Sequence, residues 1–223
     1  MMSMMKATLV AAGLLGGVAV VAAQSGTTQR IDLAERLAAG AVKVVNREAT
    51  RLQGTQGAIH VSEGDGNGIV WIEGTDFAEG TIEVDVRGRD VLQRSFVGIA
   101  FHRSDDTTYE SVYLRPFNFR AAEPDRHQHA VQYMSSPGYD WPRLRKEFPE
   151  EFENPVDASI EPTSWVPLKV VVKNKTIEIY AGRVKVPTLE VRKLGQLDRG
   201  TIGLWVGNGS DGDFMNLRIT PMK

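Results

Sequence analysis

"SFVGIAFHRSDDTTYESVYLRP", residues 95–116, holds two alternating runs around a polar turn. In the first run, Val97, Ile99 and Phe101 share one side, and Gly98, Ala100 and His102 share the other. In the second, Val112 and Leu114 oppose Tyr109, Ser111, Tyr113 and Arg115. A period of two marks extended chain, because successive side chains of a strand point to opposite faces. An ordinary half-buried strand keeps its outward face bland, with Thr, Lys or Ser. Here that face carries aromatics, a hydroxyl and a guanidinium beside Gly and Ala, which raises the question of what they meet.

The same period recurs on either side. In "GTIEVDVRG", 80–88, Ile82, Val84 and Val86 point inward and Glu83, Asp85 and Arg87 outward. "AIHVSE", 58–63, and "IVWIEG", 69–74, flank Gly64-Asp65-Gly66-Asn67-Gly68, a spacing that predicts a hairpin. "HAVQYM", "PLKVVVK", "TIEIYAG", "GTIGLWVG" and "FMNLRIT" continue the series. One short helix is expected in "IDLAERLAAG", 31–40, with Ile31, Ala34 and Leu37 on one side and Gly40 closing it. The rhythm breaks between Ala121 and Pro167, where "PGYDWPRLRKEFPEEFENP" is dense in Pro, charge and aromatics. That stretch is expected to form one long irregular loop over a sheet face. Many short strands without intervening helices predict an all-β, two-sheet antiparallel sandwich.

The chain opens with "MMSMMKATLVAAGLLGGVAVVAAQSG". Lys6 precedes an uncharged apolar run, and small residues stand before Gln24, the build of a cleaved secretory signal peptide over 1–23. The expected organisation is then a lead-in over 24–56, with the short helix and a first strand, and the sandwich proper over 57–223. Export to the periplasm or beyond the cell is expected, with no membrane attachment after cleavage. There is no cysteine, so stability must come from a packed core. The formal charge is −2, which argues against nucleic acid, whose binding rests on Lys and Arg meeting phosphates. Oligomeric state is not readable from the sequence.

Four pieces together resemble the concanavalin A-like lectin and glucanase jelly rolls, including laminin-G-like and keto-disaccharide hydrolase-like domains. They are "FAEGTIEVDVRG", "SFVGIAFHRSDDTTYESVYLRP", "WVPLKVVVKNKTIEIYAG" and "GTIGLWVGNGSDGDFMNLRI", within about Gly57 to Thr220. The resemblance implies two stacked sheets, with sugar held on the concave face of one. The superfamily's glucanases carry a Glu-x-Asp-x-x-Glu strand. This chain has Glu83-Val84-Asp85-Val86-Arg87-Gly88, with glycine in place of the third carboxylate. Glu83 and Asp85, two apart on a strand, lie about 7 Å from each other, near the roughly 5 Å that a retaining glycosidase requires. If the protein is an enzyme, Glu83 and Asp85, or Glu110, with His102 as acid/base, are the candidates for sugar cleavage. The plainer reading of Glu83 and Asp85 is a solvated outer face.

Period-two bookkeeping also assembles a ligand trough. With Val84, Ile99, Val112, Leu114, Val131 and Leu204 inward, the opposite face collects Glu83, Asp85, His102, Tyr113, Arg115, Gln132 and Trp205 around small residues. Arg115 and Gln132 would hydrogen-bond hydroxyls, Tyr113 and Trp205 would stack on a sugar ring, and Tyr139 and Trp141 would cover it from the loop. Alternatively, Arg115 pairs with Glu83 or Asp85 and closes the face. His127 and His129 are expected as a surface pair on one strand face rather than a metal site. "GSDGDF" and "EGDGNG" read as tight turns, and a weak structural calcium is the one cofactor considered. Trp71 and Trp165 are assigned to the core. The expected function is an exported carbohydrate-binding domain. The alternatives are a glycoside hydrolase, or an adhesive module with an exposed apolar patch around Phe148 and Phe152.

Overall fold

In Gly80–Arg87 every second residue is buried and those between are half-exposed, as its alternation requires. The computed structural model describes residues 26–222, so the expected signal segment lies outside the described residues. In chain order these form β1 (Gln29–Ile31), helix α1 (Leu33–Ala38), β2 (Val42–Val45), β3 (Ala49–Arg51), β4 (Ile59–Val61) and β5 (Gly68–Ile72). Then come β6 (Gly80–Arg87), β7 (Val97–Arg103), β8 (Tyr109–Leu114), helix α2 (Pro124–Gln128), β9 (Val131–Ser136), helix α3 (Trp141–Glu147) and β10 (Glu153–Asn154). The chain finishes with β11 (Val166–Lys173), β12 (Thr176–Ala181), β13 (Leu189–Arg192), β14 (Thr201–Val206) and β15 (Gly212–Pro221).

Two antiparallel sheets make a jelly-roll-like sandwich. The first runs β13-β12-β11-β6-β15-β4-β3, with β1 also on β15; the second runs β10-β9-β8-β7-β14-β5-β2. Ile82, Val84 and Val86 from the first sheet and Val97, Ile99, Val112, Leu114 and Leu204 from the second fill the space between them. Burying a side chain of this kind is worth about 1.5–3 kcal/mol, which is how a chain without cysteine holds two layers together.

Several expectations change. The short helix forms, capped by Asp32, whose Oδ1 accepts from Glu35 N at 2.9 Å. The lead-in is not separate: β1, β2 and β3 pair with β15, β5 and β4, so the sandwich begins near Gln29 rather than at 57. No hairpin joins β4 to β5. They enter different sheets, β4 beside β15 and β3, and β5 beside β14 and β2. The turn between them is held by Asn46 Nδ2 donating to Asp65 O (2.7 Å) and Asn67 O (3.0 Å) and by Arg47 donating to Gly66 O (2.6 Å).

The region 121–167 is not one irregular loop either, since it contains α2, β9, α3 and β10. His127 and His129 therefore lie at the end of α2 rather than on a strand. Trp71 is fully buried as expected, but Trp165 is only half-buried, under the Arg87 guanidinium at 4.7 Å. The apolar patch expected of an adhesive module is absent among the described residues. Phe152 is buried against Tyr133 and Phe148, and Arg192 covers both phenylalanines.

Candidate functional site

Strand pairing sets the outer face of the second sheet. Gly98 pairs with Tyr113 on one side and Trp205 on the other, and Tyr113 pairs with Gln132, so all four share a face. Neighbouring strands lie about 4.8 Å apart, so β8 and β14 are separated by roughly twice that. Yet the Tyr113 and Trp205 ring centroids are only 4.7 Å apart, tilted at 32°. The rings close over Gly98, where an added Cβ would stand 2.6 Å from Tyr113 Cα and 2.0 Å from Val112 O. Gly203 does the same for Trp71, whose ring sits where a side chain would be. The Tyr109 hydroxyl accepts from Trp205 Nε1 at 3.4 Å, and the Tyr109 ring meets Trp71 edge-on. The residues that looked out of place on β8 are thus one continuous aromatic floor.

Beside it runs a polar layer. Arg115 donates to His129 O (2.8 Å), to the Tyr113 hydroxyl (2.8 Å) and to Gln132 Oε1, and lies 3.7 Å from Glu153 Oε2. Glu153 accepts from Arg145 Nε at 2.9 Å and lies 2.8 Å from His129 Nδ1. Removal from water holds the Arg115 guanidinium below its ordinary range, where it is still a cation, and raises the Tyr113 phenol. The same desolvation, aided by Arg145 and Arg115, outweighs Glu153 and lowers the His129 imidazole.

Above floor and layer opens a cleft of about 660 Å³, lined among others by Tyr113, Arg115, Trp205, Met134, Trp141 and Arg145. Its lining includes two exposed apolar groups, Leu92 at 56% and Trp141 at 47%. Asp140 caps α3, its Oδ1 accepting from Arg143 N at 3.2 Å, and this fixes where Trp141 stands. The Arg145 guanidinium lies 4.9 Å from the Trp141 ring centroid.

Of the expected ligand residues, Tyr113, Arg115, Trp205 and Trp141 line this one cleft. Gln132 shares the face but lies fully buried beneath it, and Tyr139 packs against the core under Arg143 at 4.5 Å. With Arg115 4% exposed and Tyr113 1%, these two are floor and support rather than reaching side chains.

The expected catalytic set does not assemble. Glu83 and Asp85 lie on the other sheet's outer face. Glu83 stands opposite Lys169 and Arg218, and Asp85 accepts from Asn216 Nδ2 at 2.6 Å. The shared inward residue Val84 gave no sign of which sheet β6 joins. Glu83 and Asp85 thus do not meet Arg115. His102 is turned from the trough by a left-handed backbone, φ 53°, opposite a register shift in β14. It is buried, with Nδ1 2.8 Å from Glu110 Oε1 and Nε2 2.8 Å from Ala78 O.

Sequence reading missed Glu153, Arg126, Asn118, Phe96 and Leu92. Phe96 meets Tyr113 edge-on at 6.1 Å and Phe117 at 5.5 Å, partly roofing the floor. Oxygens of both Asp/Gly runs are engaged by side chains. In GSDGDF, Asp213 accepts from Arg87 at 2.7 Å and Asp211 lies 2.6 Å from Arg89 Nε. In EGDGNG, Glu63 accepts from Arg89 at 2.7 Å, while Asn46 and Arg47 hold the carbonyls of Asp65, Gly66 and Asn67. Among the described residues no group of three or more His, Asp and Glu side chains is arranged to hold a metal. No helix there is long and apolar enough to cross a membrane.

No family model and no curated protein sequence matches the chain. Solved structures do. A carbohydrate-binding module, CBM66 from Bacillus subtilis, aligns with a TM-score of 0.59 at 14% identity, over 80% of this chain and 95% of the module. A Bacillus subtilis protein with a galectin-like fold aligns with a TM-score of 0.59 at 11% identity, over 90% and 99%. The exoplasmic/lumenal domain of VIP36, in its Ca²⁺/Man3GlcNAc-bound form, aligns with a TM-score of 0.54 at 10% identity, over 82% and 84%. What the chain shares with these structures is the fold, a two-sheet galectin-like jelly-roll sandwich.

Proposed function

We propose that this protein binds carbohydrate in the cleft on the outer face of its second sheet, as an exported binding domain. One observation carries the reading: an aromatic floor and an exposed indole enclose a volume inside the range of small-ligand sites, beside a polar layer already fixed by Arg115. A pyranose offers C–H surface to aromatic rings and hydroxyls at its edge. Trp141, the exposed indole, suits the first, with Trp205, 2% exposed, backing the floor behind it, and Asn67, Gln93, Ser136 and Asn208 at the cleft wall suit the second. Arg115 acts by holding Tyr113 and Gln132 in place, with its own hydrogen bonds spent inside the protein.

Binding fits better than hydrolysis. A glycosidase needs two carboxyls across the bond, one of them protonated. This cleft has one carboxylate in its lining, Asp140, while Glu153 behind it is committed to Arg145 and Arg115. The apolar, cleavable character of residues 1–23 supports export.

Isothermal titration against a glycan panel tests the reading. Trp141→Ala should weaken the best ligand about tenfold while leaving stability within about 0.5 kcal/mol, since the indole is half-exposed. Silence across the panel, or a Trp141→Ala protein that binds as the parent does, would overturn it. N-terminal sequencing of the protein recovered outside the cytoplasm should begin near Gln24.

A further inference from the structure

The cleft does not stop at Arg126. Beyond that side chain a second hollow of about 300 Å³ opens, walled by Asp90, Arg120, Ala122, Glu123 and Glu161. Phe117 and Arg126 line both spaces, so these two side chains stand at their junction. Arg126 is tethered there: it donates to Phe117 O at 3.0 Å and to Glu123 Oε2 at 3.1 Å. We infer that the site takes an uncharged oligosaccharide chain laid across both hollows, with Arg126 at the crossing, rather than a single terminal sugar. The inference rests on the carbohydrate reading of the cleft and deepens it.

Two features support it. The first is continuity. A ligand confined to the larger cleft would leave a polar hollow open at its end, whereas a chain continues from one space into the next past the Phe117 and Arg126 side chains. Polar walls on both sides of the junction fit a ligand that carries hydroxyls along its whole length.

The second is charge. Arg120 meets Glu161 at 2.5 Å, Arg126 meets Glu123, and Arg115 and Arg145 share Glu153. Asp90 and Asp140 are exposed to water. Each guanidinium along the path therefore has a carboxylate of its own or shares one. With Asp90 and Asp140 counted, the path sets the five carboxylates of Glu123, Glu153, Glu161, Asp90 and Asp140 against the four guanidiniums of Arg115, Arg120, Arg126 and Arg145. An acidic ligand would meet no net positive charge and would have to displace a carboxylate or sit beside one. A neutral, hydroxyl-rich chain costs nothing of the kind. It can accept from guanidinium N–H groups and donate to carboxylate oxygens without breaking either pair.

The test is calorimetric titration of the full protein with neutral gluco-, manno- and xylo-oligosaccharides, from disaccharide to octasaccharide, beside a uronic-acid series of matched lengths. Affinity should rise about tenfold along the preferred neutral series as chains grow past the junction, and the acidic series should bind more weakly at each length. Ala122→Trp fills the second hollow from an exposed position. It should bring long chains down to the affinity of short ones and leave short-chain binding unchanged. Affinity independent of length, preference for uronic acids, or an unaltered length profile in Ala122→Trp would each overturn the inference. Any of those would leave short-sugar binding, and the carbohydrate reading, intact; silence throughout would remove both.

Discussion

β8 and β9 carry two buried polar clusters on opposite faces, and the two are built differently. Facing the first sheet, Glu110 accepts from the Tyr133 hydroxyl and lies 2.8 Å from His102 Nδ1, with Lys193 Nζ at 3.7 Å. The Tyr133 hydroxyl in turn accepts from Leu194 N at 2.9 Å, and burial beside the carboxylate raises its pKa. Glycine is required at 195, where a Cβ would meet the Glu110 carboxyl at 2.5 Å. Neither of the two hollows described above touches this cluster, and among the described residues its side-chain nitrogens and oxygens all have partners. Facing outward, Arg115, Gln132, Glu153 and His129 form the second cluster. There Gln132 Nε2 is buried without a protein partner, and the layer borders the cleft. A polar cluster that completes itself fastens chain segments together, while one left incomplete beside a cavity prepares a surface for something else.

The contrast breaks first at Glu110. Glu110→Ala removes the buried partner of the His102 Nδ1 and of the Tyr133 hydroxyl, while Lys193 keeps Gly195 O, Leu197 O and Asp198, and should cost about 3–5 kcal/mol in chemical denaturation. A loss under about 1 kcal/mol would mean that the inner cluster is ornamental. Arg115→Met is expected to cost less, about 2–3 kcal/mol, because Glu153 keeps Arg145. It should also lower glycan affinity by freeing the Tyr113 hydroxyl, and intact binding would show that the outer cluster does not shape the cleft.

The pH response sharpens the comparison. His129 titrates below its ordinary value in the folded protein, so the unfolded chain binds a proton that the folded one does not. Stability should therefore fall as pH drops through the unfolded imidazole's value, about 6.5, and level off below the folded one. His129→Gln should flatten that slope, and an NMR titration placing His129 above about 6.5 would contradict it. The smallest effect belongs to Glu83→Gln and Asp85→Asn. On the far sheet's solvated face these should move stability by no more than about 0.5 kcal/mol and leave binding untouched.

Much of this was legible. Alternation along residues 97–115 places Tyr109, Tyr113 and Arg115 on one face, and the structure keeps them there. Period two, however, sorts residues only within a strand. It is silent on which sheet a strand enters, so it groups Glu83 and Asp85 with residues a whole layer away. It also assumes an unbroken ladder, which the left-handed His102 violates. The helices in 121–167 did leave marks: Asp140 followed by Pro142 is an N-cap with proline in the first turn. Charge density hid them, and α3 owes its place to Leu144 packing into the core, which is a long-range fact.

Gly98 has a consequence for how such a protein could change. The breadth of its aromatic platform is decided on the middle strand, by a residue that offers no atoms to the surface. Alanine there would push against Val112 and Tyr113 and wedge the flanking rings apart, trading one broad tile for two separate posts. Selection for a different guest could therefore act through a single methyl group that the guest never meets.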